Sequence, residues 1–74
     1  MKRIKVESSM IAAVAYDENK QLLEIEFTSG RVYHYFNVKL EVYEGLMAAN
    51  SKGWYFREEI RDWFFYIKKS KSYY

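Results

Sequence analysis

Arg57 and Arg61 stand four residues apart in a stretch of helical period, a spacing that sets both guanidinium groups on one face of a helix. Ser51-Lys52-Gly53 comes just before that stretch. At such a position the unpaired N–H groups and the positive end of the helix dipole favour an anion, and glycine lets a phosphate approach the backbone. Together these residues have the makings of a phosphate clamp. They also have an ordinary structural use: Ser51 caps the helix, Gly53 relieves a turn, and both arginines pair with Glu58, Asp62 or other surface acids. Tyr33 and Tyr35 form the second chemical pair, since alternate residues of a strand share a face. Paired strand aromatics stack nucleobases in some sheets and build the core in others. Packing is expected if they share the face of Ile25 and Phe27, stacking if they lie on the opposite, open face.

Groups suited to catalysis are sparse. His34 is the sole histidine, and no cysteine exists to partner it as a nucleophile. Glu24/Glu26 and Glu58/Glu59 are the nearest things to carboxylate pairs, and a solvated polar face accounts for both. No glycine-rich phosphate loop, metal-ligand spacing or nucleophile elbow is present. The expectation is a non-enzymatic chain without cofactor or metal.

The elements that must position these residues are legible from the hydrophobic period. Met10 to Asp17 and Lys20 to Thr28 flank the polar pair Glu18-Asn19 and read as a hairpin. In the second strand Leu23, Ile25 and Phe27 take one face while Glu24 and Glu26 take the other. Ser29-Gly30 turns the chain into a third strand, Arg31 to Phe36, with Tyr33 and Tyr35 on one side and Val32, His34 and Phe36 on the other. From Leu40 the period becomes helical through Tyr43, Leu46 and Met47, predicting a helix near 39–49 that Asn50 to Gly53 stops. A second helix is predicted near 55–64, with Phe56, Ile60, Trp63 and Phe64 on its apolar stripe. Phe64 to Lys68 either extends that helix or returns as an edge strand, and its aromatic and β-branched content favours the strand. The expected fold is therefore α+β, a three-stranded antiparallel meander covered on one face by two helices.

Seventy-four residues make one domain, 1–74, and so short a chain needs large side chains for its core. Eight Tyr, five Phe and two Trp supply them. The net charge is only +2, but Lys2, Arg3 and Lys5 at one end and Lys68, Lys69 and Lys71 at the other hold half of the twelve basic residues. The intervening segment carries six bases against ten acids. The basic ends are either solvated tails or, if they meet, one basic patch on an acidic body. With no cysteine, no signal-peptide pattern and no apolar run longer than Met10 to Tyr16, a cytoplasmic protein without a membrane span is expected.

The ordered set Ser8-Ser9-x-Ile11, Tyr16-Asp17, Leu23-x-Ile25-x-Phe27, Gly30, Tyr33-x-Tyr35, Val38, Tyr43, Ala49-x-Ser51-x-Gly53 and Phe56 to Arg61 resembles the KTSC domain. That module occurs at the C-terminus of some lysyl-tRNA synthetases and as a stand-alone bacterial or phage protein. The resemblance covers roughly residues 6 to 67, and it implies RNA binding, the function suggested for the family. Ser51, Gly53 and Arg61 match its motif. Lys39 stands where the family often has Pro, and Arg57 where a small polar residue is common.

Physics and resemblance lead to one expectation with two rivals. The leading one is a module for RNA or a phosphorylated nucleotide, with Ser51, Lys52 and Gly53 as cradle, Arg57 and Arg61 as charge, and Tyr33 and Tyr35 as stacking platform. A charge of +2 is low for long RNA, so sequestration of a small nucleotide, a second messenger among them, is a rival. The other rival is a protein-interaction or homo-oligomer module whose interface is Trp54, Tyr55 and Trp63.

Overall fold

Leu23 and Ile25 alternating with Glu24 and Glu26 set the two faces of an antiparallel sheet. In the computed structural model, which describes residues 1–69, that sheet has five strands rather than three. The order is β1 (Ile4–Lys5), β2 (Ile11–Asp17), β3 (Leu22–Phe27), β4 (Val32–Tyr35), helices α1 (Leu40–Ala48) and α2 (Lys52–Glu59), then β5 (Tyr66–Lys69). Neighbours in sequence are neighbours in the sheet, and β5 returns beside β4 after the helices. The segment expected to be helix or strand is thus a strand. β1 escaped prediction because two residues carry no period; Arg3 holds it across β2 through ion pairs to Glu24 and Glu26 on β3.

One sheet face carries the core. Ile11, Val14, Leu23, Ile25 and Tyr35 meet Leu46 of α1 and Phe56 and Ile60 of the α2 segment, and all of them are buried. Each fully buried aliphatic side chain of this kind stabilises the fold by about 1.5–3 kcal/mol. A bulge between Ile11 and Ala13 keeps both Ile11 and Val14 inward. Tyr16 stacks on Tyr43 of α1 at 4.6 Å and donates its hydroxyl to the Val38 carbonyl across 2.5 Å, which fixes the entry to α1.

The second helix starts earlier than its apolar stripe suggests. Ser51 is its N-cap, accepting the Trp54 N–H at 3.2 Å, so Lys52 and Gly53 lie inside the first turn rather than ahead of it. It ends at Glu59, where Ile60 leaves helical geometry and both Ile60 and Arg61 donate to the Phe56 carbonyl. Trp63 is therefore off the helix and exposed, and its indole N–H donates to the Glu58 carbonyl at 2.9 Å. Among the described residues no helix is long and apolar enough to cross a membrane.

Candidate functional site

A cleft of about 400 Å³ opens on the helix-covered side of the sheet, lined by residues of β3, β4, β5 and α2. Its rim is the β3–β4 turn. Gly30 adopts φ +93°, a conformation that favours glycine, and its N–H closes the turn onto the Phe27 carbonyl at 2.9 Å. Thr28 ties the turn to the start of β2, donating its N–H to the Met10 carbonyl and its hydroxyl to the Ser9 carbonyl. Ser29 and Arg31 then face the cleft from this anchored turn. The opposite wall comes from Phe56 of α2 and from Arg61, in the turn just after that helix.

Aromatic rings make the floor. Tyr33 and Tyr35 lie nearly parallel, 6.2 Å apart and 18° inclined, and Tyr66 of β5 leans over both at 5.5 and 5.6 Å. Phe27 meets Tyr33 edge-on, and Phe56 meets Tyr35 in the same way. Register explains the grouping, since Tyr35 pairs with both Leu23 and Tyr66 and so shares the core face. Of the two roles weighed for the tyrosine pair, Tyr35 serves the core, being 2% exposed, while Tyr33 is only half-buried and remains available. Burial raises the Tyr35 pKa, Tyr33 and Tyr66 add to the shift, and the Arg61 charge opposes it; the phenol stays protonated at neutral pH. Arg31 and Arg61 bring two cations, and no lining residue is acidic.

The residues expected to form one clamp are divided. Tyr33, Tyr35 and Arg61 come together in the cleft, but Ser51, Lys52, Gly53 and Arg57 do not line it. Ser51 caps α2, and the Lys52 ammonium donates to the Ala49 carbonyl at the C-terminal end of α1, at 3.0 Å, where the helix dipole favours a cation. Gly53 is buried against Met10, with an Arg57 guanidinium nitrogen 3.7 Å from where its Cβ would stand. Arg57 thus folds back along α2. Arg61, beyond the helix end, points elsewhere and meets Asp62 at 3.4 Å on the exposed surface. The expected common helix face for the two arginines is lost because α2 stops at Glu59.

The aromatic interface set also divides. Trp54 and Trp63 are exposed, whereas Tyr55 turns onto α1 and donates its hydroxyl to the Val42 carbonyl at 3.2 Å. The basic ends do not meet, for β1 and β5 are opposite edges of the sheet; Lys71 lies outside the described residues. On the far face His34 Nε2 donates to Glu24 Oε1 at 2.8 Å. Burial alone would raise the Glu24 pKa, but hydrogen bonds from Arg3 and His34 outweigh it and hold the carboxyl below its ordinary value. Among the described residues no three His, Asp or Glu groups converge as a metal site would require.

Sequence reasoning missed Arg31 and Tyr66. A signal existed for the first, because the alternation that groups Tyr33 with Tyr35 also groups Arg31 with them. Tyr66 had no equivalent signal, since its place depends on β5 returning beside β4.

The description KTSC domain fits residues 7–64, where the family model matches. An uncharacterized protein of Stutzerimonas stutzeri is 41% identical over 58 residues, spanning 78% of this chain and 82% of its own length. The lysine–tRNA ligase of a Nostoc species is 46% identical over 67 residues, which are 90% of this chain but 12% of the ligase. The crystal structure of a KTSC domain protein from Yersinia pestis superimposes with a TM-score of 0.91 at 33% identity, covering 93% of this chain and 97% of that one. This chain belongs to the KTSC domain family.

Proposed function

We propose that the chain is a non-enzymatic binding module that holds one nucleotide unit, free or within RNA, in the cleft between the β3–β4 turn and Arg61. One observation carries the reading: Tyr33, Tyr35 and Tyr66 converge with Arg31 and Arg61, from separate segments, in a cleft without a lining acid. Aromatic rings accept a base through stacking worth about 1–3 kcal/mol, and arginine is the side chain best shaped for phosphate. The volume lies near the lower end of the roughly 300–1,000 Å³ common for small-ligand sites. Lys68, the register partner of Tyr33, stands on the same sheet face and adds a cation nearby. His34, the residue best suited to acid–base chemistry, sits on the other face. The link to lysine–tRNA ligases supports an RNA context.

Calorimetric titration of the 74-residue protein with AMP and with a short single-stranded RNA tests this reading. Saturable binding that weakens about tenfold or more in Arg61→Ala is expected, the usual cost of losing a charged partner of phosphate. Absence of binding by both ligands at millimolar concentration would overturn it.

A second reading rests on the exposed Trp54, Trp63, Phe65 and Ile67, which suit a protein partner or a second copy. Native mass measurement separates the two, showing co-purified nucleotide or RNA in the first case and an oligomer alone in the second.

A further inference from the structure

Tyr35 is 2% exposed, lines the cleft, and makes no hydrogen bond to any described residue through its hydroxyl. No described side-chain polar atom is sealed from solvent without a partner, so this hydroxyl is reached by solvent, and Tyr35 is one of the residues that line the cleft. A hydroxyl in that state is free to donate to a ligand acceptor. Its protonated state at neutral pH makes it a donor, beside the donor-only guanidinium groups of Arg31 and Arg61.

The cleft has little with which to read a base. No Asn, Gln, Asp or Glu lines it. Several of the turn's backbone groups are already paired: the Gly30 N–H to the Phe27 carbonyl, the Arg31 carbonyl to the Phe27 N–H, and the Arg31 N–H to the Ser29 hydroxyl oxygen. Telling bases apart takes matched donors and acceptors along the base edge, and apart from hydroxyls this lining offers guanidinium donors and ring faces.

We infer that the cleft takes a nucleotide bearing a terminal phosphomonoester, with Arg31, Arg61 and the Tyr35 hydroxyl on the phosphate and the base stacked on Tyr33 and Tyr66 without being read. This rests on the nucleotide-binding reading above. A monoester brings about −1.5 to −2 charge and three free oxygens, close to the charge of the two guanidinium groups. An internal diester offers one charge and two free oxygens, and leaves about half of that positive charge unmatched. Mononucleotides and phosphate-ended RNA strands share this chemistry.

The test is calorimetry on the whole protein with AMP, UMP, adenosine, the diester ApA, inorganic phosphate, and an oligoadenylate with and without a 5′-phosphate. AMP and UMP are expected within about tenfold of one another, a difference stacking alone accounts for. Adenosine, ApA, inorganic phosphate and the unphosphorylated oligomer are expected about tenfold or more weaker than AMP, since each lacks the monoester or the base. A phosphorylated oligomer binding like AMP assigns the site to RNA ends; one excluded where AMP binds assigns it to free nucleotides, and either supports the monoester. Tyr35→Phe should weaken AMP by about threefold or more, leave adenosine unchanged and not lower the melting temperature, because the lost hydroxyl has no partner among the described residues. ApA binding as tightly as AMP overturns the inference while leaving a nucleotide cleft in place. So does a preference of more than about a hundredfold between AMP and UMP, or AMP affinity unaffected by Tyr35→Phe. Failure of every probe to bind removes the nucleotide reading itself.

Discussion

Arg61 shows how little a residue type reveals until its neighbours are known. Helical spacing paired it with Arg57, but the early end of α2 sends it to the cleft, where its nearest acid is the exposed Asp62. Exposed ion pairs of this kind are worth about 0.2–1 kcal/mol, so Arg61→Ala should leave the melting temperature nearly unchanged while nucleotide affinity falls. Arg57→Ala, removing a side chain that does not line the cleft, should leave affinity intact; equal losses for the two would restore the helical clamp. His34 is the complementary case. It sits with Glu24 on the far sheet face, so His34→Ala should not change ligand affinity. The Glu24 cluster instead governs acid stability. A carboxyl whose pKa is depressed in the fold contributes stability above its unfolded pKa and loses it as pH falls through the folded value. Melting temperature should therefore drop as pH is lowered below the ordinary carboxylate range near 4.5, and Glu24→Gln should flatten that part of the profile while lowering stability at pH 7. An unchanged slope in Glu24→Gln would assign the acid transition to other groups.

Among the elements, those with a long period were legible and those defined by partners were not. Leu23, Ile25 and Phe27 against Glu24 and Glu26 mark β3 and its buried face, and Leu40 to Met47 marks α1. β1 has two residues and depends on Arg3 reaching Glu24 and Glu26. The limits of α2 turn on capping, not on hydrophobic period: Ser51 starts it, and Trp63 contributes an indole hydrogen bond at its end instead of a core side chain. That is why Lys52 and Gly53 lie within the helix's first turn rather than ahead of it. The packing of α1 on α2 was not visible at all, for it depends on Gly45. A Cβ built there would stand 2.2 Å from the Tyr55 hydroxyl, which is held by the Val42 carbonyl. Gly45→Ala should cost about 1–3 kcal/mol through overpacking, despite the better helix propensity of alanine. In a Tyr55→Ala background the same change should be close to neutral. Additive losses in that double-mutant cycle would place the strain elsewhere.

At the scale of the whole molecule the question is whether charge is spread for a long polyanion or gathered for a single phosphate. Half of the basic residues lie near the two ends of the sequence, yet β1 and β5 form opposite edges of the sheet, so the described basic residues there do not merge into one patch. Arg3 is further engaged with Glu24 and Glu26. The remaining local concentration is Arg31 and Arg61 in the cleft, with Lys68 on the same sheet face. Long RNA bound along a basic track releases many counterions, each phosphate neutralised on a single strand contributing about −0.7 to the slope of log affinity against log salt. A cleft that contacts one phosphate, or two at most, predicts a slope of about −0.7 to −1.4. For phosphate-ended RNA that slope should stay the same as the strand grows by several nucleotides, because lengthening it adds no further contacts. Affinity measured between low and moderate salt for strands of two lengths checks it. A slope that steepens steadily with RNA length would show a track beyond the cleft, and the first places to seek it would be Lys68 and Lys69 on the β5 edge.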